Sequence, residues 1–280
     1  MNLNLTRPTE IRAALDALGV RPSKALGQNF LADQNILRIL LETAEVTPDD
    51  VVLEIGPGLG VVTEGLLRAA RTVVAVEKDR RLHAFLVERF GEERRLELIH
   101  ADLLELDVAA LLAKGITCVV ANLPYSVGCR MLVNLAAARR PPGRMVVTVQ
   151  REVAERLAAA PGASERGLLS TWLQLAYRVR VVKRVSHACF WPRPEVGSAI
   201  VRLDGRDDGL PDERSRQAFY ELTRRAFMHR RKQMSAIAGR VLRGAARQAA
   251  ADALSSLGLA GARPQDLSVA DWCALVRLLR

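Results

Sequence analysis

Two alternating patterns of apolar residues organise the chain between residues 51 and 149. Short runs rich in Val, Ile and Leu predict buried strands, whereas apolar residues spaced three or four apart between them predict helices. The predicted strands cover residues 51–55, 72–76, 96–99, 117–121 and 145–149. The predicted helices cover residues 61–70, 82–90, 108–113 and 131–138. Strands that alternate with helices in this way indicate a parallel sheet with helices on both faces.

The pattern differs on both sides of this region. Ile11, Leu15 and Leu18 predict one amphipathic helix within residues 1–20, and a second helix precedes the first strand. After residue 150, two helical segments (152–159 and 168–177) lead to two strands, which we expect to form an antiparallel hairpin at the sheet edge. A polar, turn-rich stretch at 205–211 predicts a domain boundary. The expected fold is α/β, with a Rossmann-like sheet domain over residues 1–205 and a small all-helical domain over residues 206–280.

The balance of charge points to a polyanionic partner. The 280 residues include 41 Lys and Arg against 31 Asp and Glu, a net charge of +10. Only five of the basic residues are lysine, and arginine suits phosphate because its planar fork binds two oxygens at once. The four cysteines are scattered without metal-ligand spacing, so we expect neither zinc nor disulfides. No run of 18 apolar residues predicts a membrane span, and we expect a cytoplasmic protein.

Candidate ligand-binding residues stand directly after four predicted strands. They are Gly56, Glu77, Asp102 and Asn122, and ligands of doubly wound sheets bind at the carboxyl ends of the strands. The glycines read G-x-G-x-G, which does not meet the dinucleotide pattern G-x-G-x-x-G. S-adenosylmethionine has no phosphate and needs only close approach to the loop. Glu77 would accept hydrogen bonds from its ribose, and Asp102 from its adenine amino group.

The stretch Asn122-Leu123-Pro124-Tyr125 suits a nucleobase amino group as methyl acceptor. The lone pair of such a group is delocalised into the ring, so it is a poor nucleophile. The Asn122 side-chain oxygen and the Leu123 backbone carbonyl can hold the two amino hydrogens and localise the lone pair. Pro124 stiffens the loop, and Tyr125 offers a flat face for an extruded base. Four residues alone would also fit a strand end followed by a turn.

Several longer motifs make the chain resemble the bacterial small-subunit rRNA adenine dimethyltransferases. The similar segments are residues 24–31, 53–60, 122–125, 190–196, 226–232 and 267–272. The resemblance implies a class I methyltransferase sheet and transfer of two methyl groups to N6 of each of two adjacent adenosines in a hairpin near the 3′ end of 16S rRNA. The cofactor contacts it implies are Asn29, Leu31, Gly56, Gly58, Glu77, Asp102 and Asn122. Phe190 would face the flipped base opposite Tyr125.

The chain departs from this family in two places beside Phe190. Gly197 stands where the family usually has Asp, and Ser186 and His187 stand where it often has a proline pair. These departures concern how the target base is clamped and leave the predicted cofactor residues unchanged.

A basic cluster in the C-terminal domain predicts contact with RNA. It consists of Arg224, Arg225, Arg230, Arg231 and Lys232. A solvated helical face is the other interpretation. Because the N-terminal helix region is basic too, we favour an RNA cradle whose phosphate contacts position the substrate without reading sequence. The expected partner is 16S rRNA in the immature small subunit, bound by a monomer.

Three other functions share part of these features. A large-subunit rRNA adenine methyltransferase of the antibiotic-resistance type has the same glycine loop and catalytic motif, but residues 263–278 favour the small-subunit branch. An assembly factor that uses methylation only as a release step would have the same sequence features. DNA adenine methylation shares the acceptor chemistry, and the chain-wide resemblance opposes it.

Overall fold

A computed structural model describes residues 5–23, 27–124, 128–207, 209–210, 212–241 and 244–279 of the chain. The helices are α1 Pro8–Ala17, α2 Gln34–Ala44, α3 Val61–Leu67, α4 Arg80–Phe90, α5 Val108–Leu112, α6 Gly128–Ala136, α7 Arg151–Ala158, α8 Leu168–Ala176, α9 Glu213–Phe227, α10 Met234–Val241, α11 Gly244–Ser256 and α12 Val269–Leu278. The strands are β1 Phe30–Leu31, β2 Val51–Ile55, β3 Thr72–Glu77, β4 Leu96–His100, β5 Cys118–Asn122, β6 Arg144–Gln150, β7 Tyr177–Val185, β8 Phe190–Trp191 and β9 Ser198–Gly205.

The predicted α/β fold is confirmed by the sheet topology. Among the described residues, one seven-stranded sheet has the order β4-β3-β2-β5-β6-β9-β7. The pairs β4–β3, β3–β2, β2–β5 and β5–β6 are parallel, and β9 pairs antiparallel with β6. The strand order reverses between β2 and β5, which is the kind of switch point where α/β sheets bind ligands. Apolar side chains of α2 and α3, among them Leu40 and Leu66, form one core cluster with sheet residues such as Val120.

The chain has local start signals where the helices begin. Asp33 caps α2 by accepting a hydrogen bond from the Ile36 N–H at 2.9 Å. Asp79 caps α4 in the same way, through the N–H groups of Arg81 and Leu82. These caps satisfy donors that the first helical turn leaves without partners. They fix where the helices begin and therefore where the loops at the carboxyl edge of the sheet end.

A second small sheet joins two distant segments. β1 pairs antiparallel with β8, with Phe30 opposite Trp191 and Leu31 opposite Phe190. The sequence pattern assigned both segments to loops, because a two-residue strand carries no periodic signal. The pairing brings Phe30 and Leu31, at the end of one family-like motif, together with the segment that contains Phe190.

The structure separates the chain into two compact units. The first contains Met1–Ala154 and Arg178–Gly205, and the second contains Glu155–Tyr177 and Arg206–Arg280. The sequence placed residues 155–177 in the first domain, whereas α8 packs against α9 and α12 of the second unit. The physical reason is the apolar face of α8: Leu175 joins the cluster around Phe219 and Trp272. Trp172 also donates a hydrogen bond to the Thr223 hydroxyl at 2.9 Å.

No helix in the described residues is long and apolar enough to cross a membrane. The same residues contain no group of His, Cys, Asp and Glu side chains arranged to hold a metal ion. The four cysteines are free thiols.

Candidate active site

A cavity of about 130 Å³ opens at the carboxyl ends of the central strands in the first unit. It brings together all the residues that the sequence assigned to the cofactor, since Asn29, Leu31, Gly56, Gly58, Glu77, Asp102 and Asn122 line it. Their separation in sequence spans about 90 residues, and the parallel register of β2, β3 and β5 places their strand ends side by side. Pro124 lines the same cavity.

The glycine loop adopts a backbone that requires glycine. Gly56, Gly58 and Gly60 have φ angles of 67°, 59° and 80°, in the left-handed region that other residues rarely adopt. A Cβ on Gly58 would stand 3.1 Å from the Phe30 ring, and one on Gly60 would stand 2.6 Å from the Phe90 ring. Aromatic rings therefore pack tightly against Gly58 and Gly60, and Gly56 and Gly58 line the cavity.

Glu77 is held in place by the loop that it faces. Its Oε2 accepts a hydrogen bond from the Gly58 N–H at 3.0 Å, and its Oε1 accepts one from the Asp79 N–H at 2.8 Å. The residue is 5 % exposed. Burial raises the pKa of this carboxyl, and the two backbone hydrogen bonds partly oppose the increase. Each oxygen keeps a lone pair that can accept from a ligand hydroxyl.

Asp102 has a partner that the sequence reasoning did not identify. Its Oδ2 pairs with the Lys78 ammonium at 2.7 Å, and its Oδ1 accepts from the Leu104 N–H at 2.9 Å. Lys78 lowers the pKa of this carboxyl. The side chain is therefore an oriented anion at the β4 end of the cavity.

Asn122 is oriented by the chain segment that precedes β1. Its Nδ2 donates to the Asn29 backbone carbonyl at 2.8 Å. This bond assigns the amide nitrogen to the Asn29 side and leaves Oδ1 as the acceptor that faces away from it. The Leu123 N–H donates to the Thr148 carbonyl at 3.1 Å, so the chain stays bonded to β6 as it leaves the strand. Asn29 thus acts on the site through its backbone as well as lining the cavity.

The structure describes only part of the predicted target-base set. Tyr125 lies outside the described residues. The Leu123 side chain is buried, and Pro124 approaches Gly56, where a Cβ would stand 3.7 Å from the proline ring. Phe190 is 1 % exposed and packs in the sheet core. Stacking of a base on Phe190 stays a prediction, and it requires the ring to leave this core position.

The two departures beside Phe190 make local backbone contacts. The Gly197 carbonyl accepts from the Arg151 N–H at 2.9 Å, and a Cβ at Gly197 would stand 3.3 Å from the Val185 carbonyl. The Ser186 hydroxyl accepts from the Ala188 N–H at 3.2 Å.

Glu54 is an ionisable residue of the cavity that the sequence reasoning did not single out. Glu54 lies on β2, is 2 % exposed, and its Oε2 has no hydrogen-bond partner among the described residues. Burial, and secondarily the negative charge of Glu77, raises the pKa of Glu54 to about 8, while Thr63 opposes the increase. The available signal was an acid inside an otherwise apolar strand of five residues, Val51–Ile55.

The predicted RNA-binding residues lie in the second unit and are all exposed. Arg224 and Arg225 are in the last turn of α9, and Arg230, Arg231 and Lys232 follow that helix. Arg225 forms an ion pair with Glu221. Arg230 donates to the Ser164 carbonyl at 3.0 Å.

Known proteins resemble the chain over most of its length. A family model described as ribosomal RNA adenine dimethylase matches residues 20–280. A ribosomal RNA small subunit methyltransferase A of Latilactobacillus sakei is 38% identical over 82% of this chain and 79% of its own. The protein of the same name in Geobacillus sp. is 38% identical over 83% of this chain and 81% of its own.

Two solved structures share the fold. A dimethyladenosine transferase from Plasmodium falciparum superposes with a TM-score of 0.76 and 25% identity, covering 87% of this chain and 94% of the other. The 23S rRNA methyltransferase ErmE superposes with a TM-score of 0.69 and 26% identity, covering 90% of this chain and 99% of the other.

Proposed function

Because the chain belongs to the ribosomal RNA adenine dimethylase family, we propose that it methylates adenine in small-subunit ribosomal RNA, with S-adenosylmethionine as methyl donor. It places two methyl groups on N6 of each of two adjacent adenosines near the 3′ end of 16S rRNA. The observation that supports this most is the joint position of Gly56, Glu77, Asp102 and Asn122 around one cavity. The partner is the immature small subunit in the cytoplasm, and the enzyme acts as a monomer.

The residues of the cavity fit each part of this cofactor. Glu77 keeps lone pairs for the ribose hydroxyls, and Asp102 can accept from the adenine amino group while Lys78 holds it in place. The positive-φ glycines leave the loop backbone open to a ligand. When bound, the cofactor supplies a methyl group on a positively charged sulfur, which is a good leaving group.

Asn122 and Leu123 prepare the adenine for transfer. In unmodified adenine the Asn122 Oδ1 and the Leu123 carbonyl would accept the two N6 hydrogens, and in the monomethylated base one of them would accept the hydrogen that remains. These bonds would draw the nitrogen lone pair out of conjugation with the ring. The lone pair would then attack the methyl carbon of the bound donor, with the thioether as leaving group, and the surplus N6 proton would pass to water. Alignment of the two reacting atoms provides much of the acceleration. Tyr125 and Phe190 stack on the base.

The exposed basic cluster of the second unit binds the phosphate backbone. Arg224, Arg231 and Lys232 have no ion pair among the described residues, so their charge is available to phosphate. Such contacts position the RNA, and specificity comes from the shape of the target hairpin.

Because the 23S rRNA methyltransferase ErmE shares the fold, methylation of large-subunit rRNA is the alternative that an experiment must exclude. Tritiated methyl transfer to isolated, undermethylated small subunits and, in parallel, to large subunits separates the two. We expect label in the small subunit, at two adjacent adenosines that stop primer extension. Label confined to the large subunit would contradict the proposed function. A third alternative, a mainly assembly role, predicts that catalytically inactive Asn122→Ala restores small-subunit maturation completely in a deletion strain.

A further inference from the structure

The carboxyl group of Glu54 is the least satisfied polar group of the candidate active site. It lines the cavity, is 2 % exposed, and its Oε2 has no hydrogen-bond partner among the described residues. A buried carboxylate without a partner is costly, so such a group either stays protonated or faces a positive ligand. The other acids of the cavity, Glu77, Asp79 and Asp102, already have fixed partners.

Among the described residues, none of those that act on the Glu54 carboxyl carries a positive charge. Its register partners on the flanking strands are Ala75 and Val120, both apolar. Thr63 faces it from α3, and Glu77 on β3 is the ionisable group that acts on it, with a negative charge. Together, burial and Glu77 favour the neutral acid as long as the cavity contains no cation.

The order of the strands indicates which part of a ligand lies beside Glu54. Asp102, Glu77, Glu54 and Asn122 belong to or directly follow β4, β3, β2 and β5, which are consecutive in the sheet. In S-adenosylmethionine the adenine, ribose, sulfur and methyl group follow each other in the same order. With adenine at Asp102 and ribose at Glu77, the sulfonium would lie beside β2 and so nearer to Glu54 than to Glu77 or Asp102. The ammonium of the methionine moiety is common to donor and product and does not distinguish them.

We propose that Glu54 is a charge-selective residue of the cofactor cavity: it releases its proton to solvent when the sulfonium donor binds, and it is protonated again when the neutral thioether product forms. This inference rests on the proposed function, because it assumes that donor. The carboxylate stabilises the sulfonium, whereas S-adenosylhomocysteine has no charge on sulfur. Glu54 therefore makes the cavity prefer donor to product and assists product release before the next of several methyl transfers.

The direction of the pH dependence follows from burial. In the free cavity the pKa of Glu54 is raised to about 8. Near neutral pH, donor binding must therefore expel a proton, and the affinity for the donor rises with pH until the free carboxyl is itself ionised. The affinity for the product rises less with pH, because its sulfur carries no positive charge. The ratio of the two affinities should rise between about pH 6 and about pH 9, by roughly 10-fold for each unit by which the sulfonium lowers the pKa.

Isothermal titration of the full chain with each ligand tests the proposal without RNA. Titrations near pH 7 in phosphate and in Tris, which differ in ionisation enthalpy, give the number of protons released. We expect wild type to release more protons with S-adenosylmethionine than with S-adenosylhomocysteine. Glu54→Gln, a neutral isostere, should lose this difference and bind the donor about 10-fold more weakly, with product affinity little changed. Glu97→Gln, an acid of β4 paired with Lys114, is the matched control and should behave as wild type.

Equal proton release for the two ligands in wild type would overturn the proposal, as would a difference that persists in Glu54→Gln. If that variant fails to fold, the wild-type affinity ratio across pH still decides, since a flat ratio overturns it. Failure of the proposed function gives a different result from failure of the role of Glu54. Selective proton release without methyl transfer to small subunits would retain the role of Glu54 and refute the substrate, whereas absence of binding by either ligand would refute both.

Discussion

The two halves of the active site differ in how completely the fold arranges them. On the cofactor side, Glu77 and Asp102 already hold fixed orientations through backbone and lysine partners. Among the described residues proposed for the target-base side, Asn122 and the Leu123 backbone have fixed partners, whereas the ring of Phe190 lies in the core. The cofactor side depends on strand ends, which the sheet fixes rigidly. The proposed base side includes Phe190, whose ring would have to leave the core to stack on a base, so we expect RNA binding to complete this half of the site.

Asn122 belongs to both halves, and Asn122→Ala should have the largest effect. Loss of one preorganised polar group at a reacting centre costs roughly 10²–10³-fold in rate. We expect that loss in single-turnover methylation of small subunits, with a smaller change in S-adenosylmethionine affinity. Asn35→Ala, an exposed amide on α2 outside the cavity, is the control. An equal loss of affinity and rate would assign Asn122 to the cofactor side alone.

Glu77→Ala tests the cofactor side of the active site directly. It removes the proposed acceptor of the ribose hydroxyls, which two backbone hydrogen bonds hold in place, and a hydrogen bond to a charged group contributes about 1.5–3 kcal/mol. We expect affinity for both S-adenosylmethionine and S-adenosylhomocysteine to fall roughly 10–100-fold. Calorimetric titration measures this, with Glu97→Ala on the neighbouring strand as control. Unchanged affinity would remove Glu77 from the site.

Residue patterns predict the cofactor side better than the base side for a physical reason. Val51–Ile55 and Cys118–Asn122 form strands because of their own apolar content, so the positions just after them are predictable from sequence. The β1–β8 pairing joins residues about 160 positions apart and leaves no local pattern. The Lys78–Asp102 pair and the isolation of Glu54 also depend on tertiary neighbours.

Two glycine substitutions separate the cost of crowding in the glycine loop from the cost of its left-handed backbone. Gly60 and Gly115 have nearly equal φ angles, 80° and 82°, but a Cβ at Gly60 meets Phe90 at 2.6 Å whereas one at Gly115 meets nothing within 4 Å. Gly115→Ala should cost about 1–2 kcal/mol from the backbone alone. Gly60→Ala should cost about 1–3 kcal/mol more, from crowding. Urea denaturation measures both, and equal losses would show that the loop is not tightly packed.

Phe190→Leu tests whether the base side opens during the reaction. The ring is fully buried, and a substitution of similar volume should cost less than about 1.5 kcal/mol of stability. If the ring stacks on adenine when RNA is bound, methyl transfer falls by about 10-fold, because stacking contributes roughly 1–3 kcal/mol. Phe219→Leu in the second unit is a buried control with no expected effect on rate. A normal rate for Phe190→Leu would restrict Phe190 to the core.

The smallest expected effect distinguishes two adjacent arginines of the RNA-binding cluster. Arg225 forms an ion pair with Glu221, whereas Arg224 has no ion pair among the described residues. Arg224→Gln should weaken RNA binding severalfold and reduce the slope of log affinity against log salt by about 1, since one phosphate contact is lost. Arg225→Gln should change the slope less, because its charge is already partly neutralised. Filter binding to the small-subunit hairpin RNA at several salt concentrations measures both variants. Identical slopes in wild type and Arg224→Gln would place the RNA backbone elsewhere, and the second unit would then contribute to folding rather than to substrate binding.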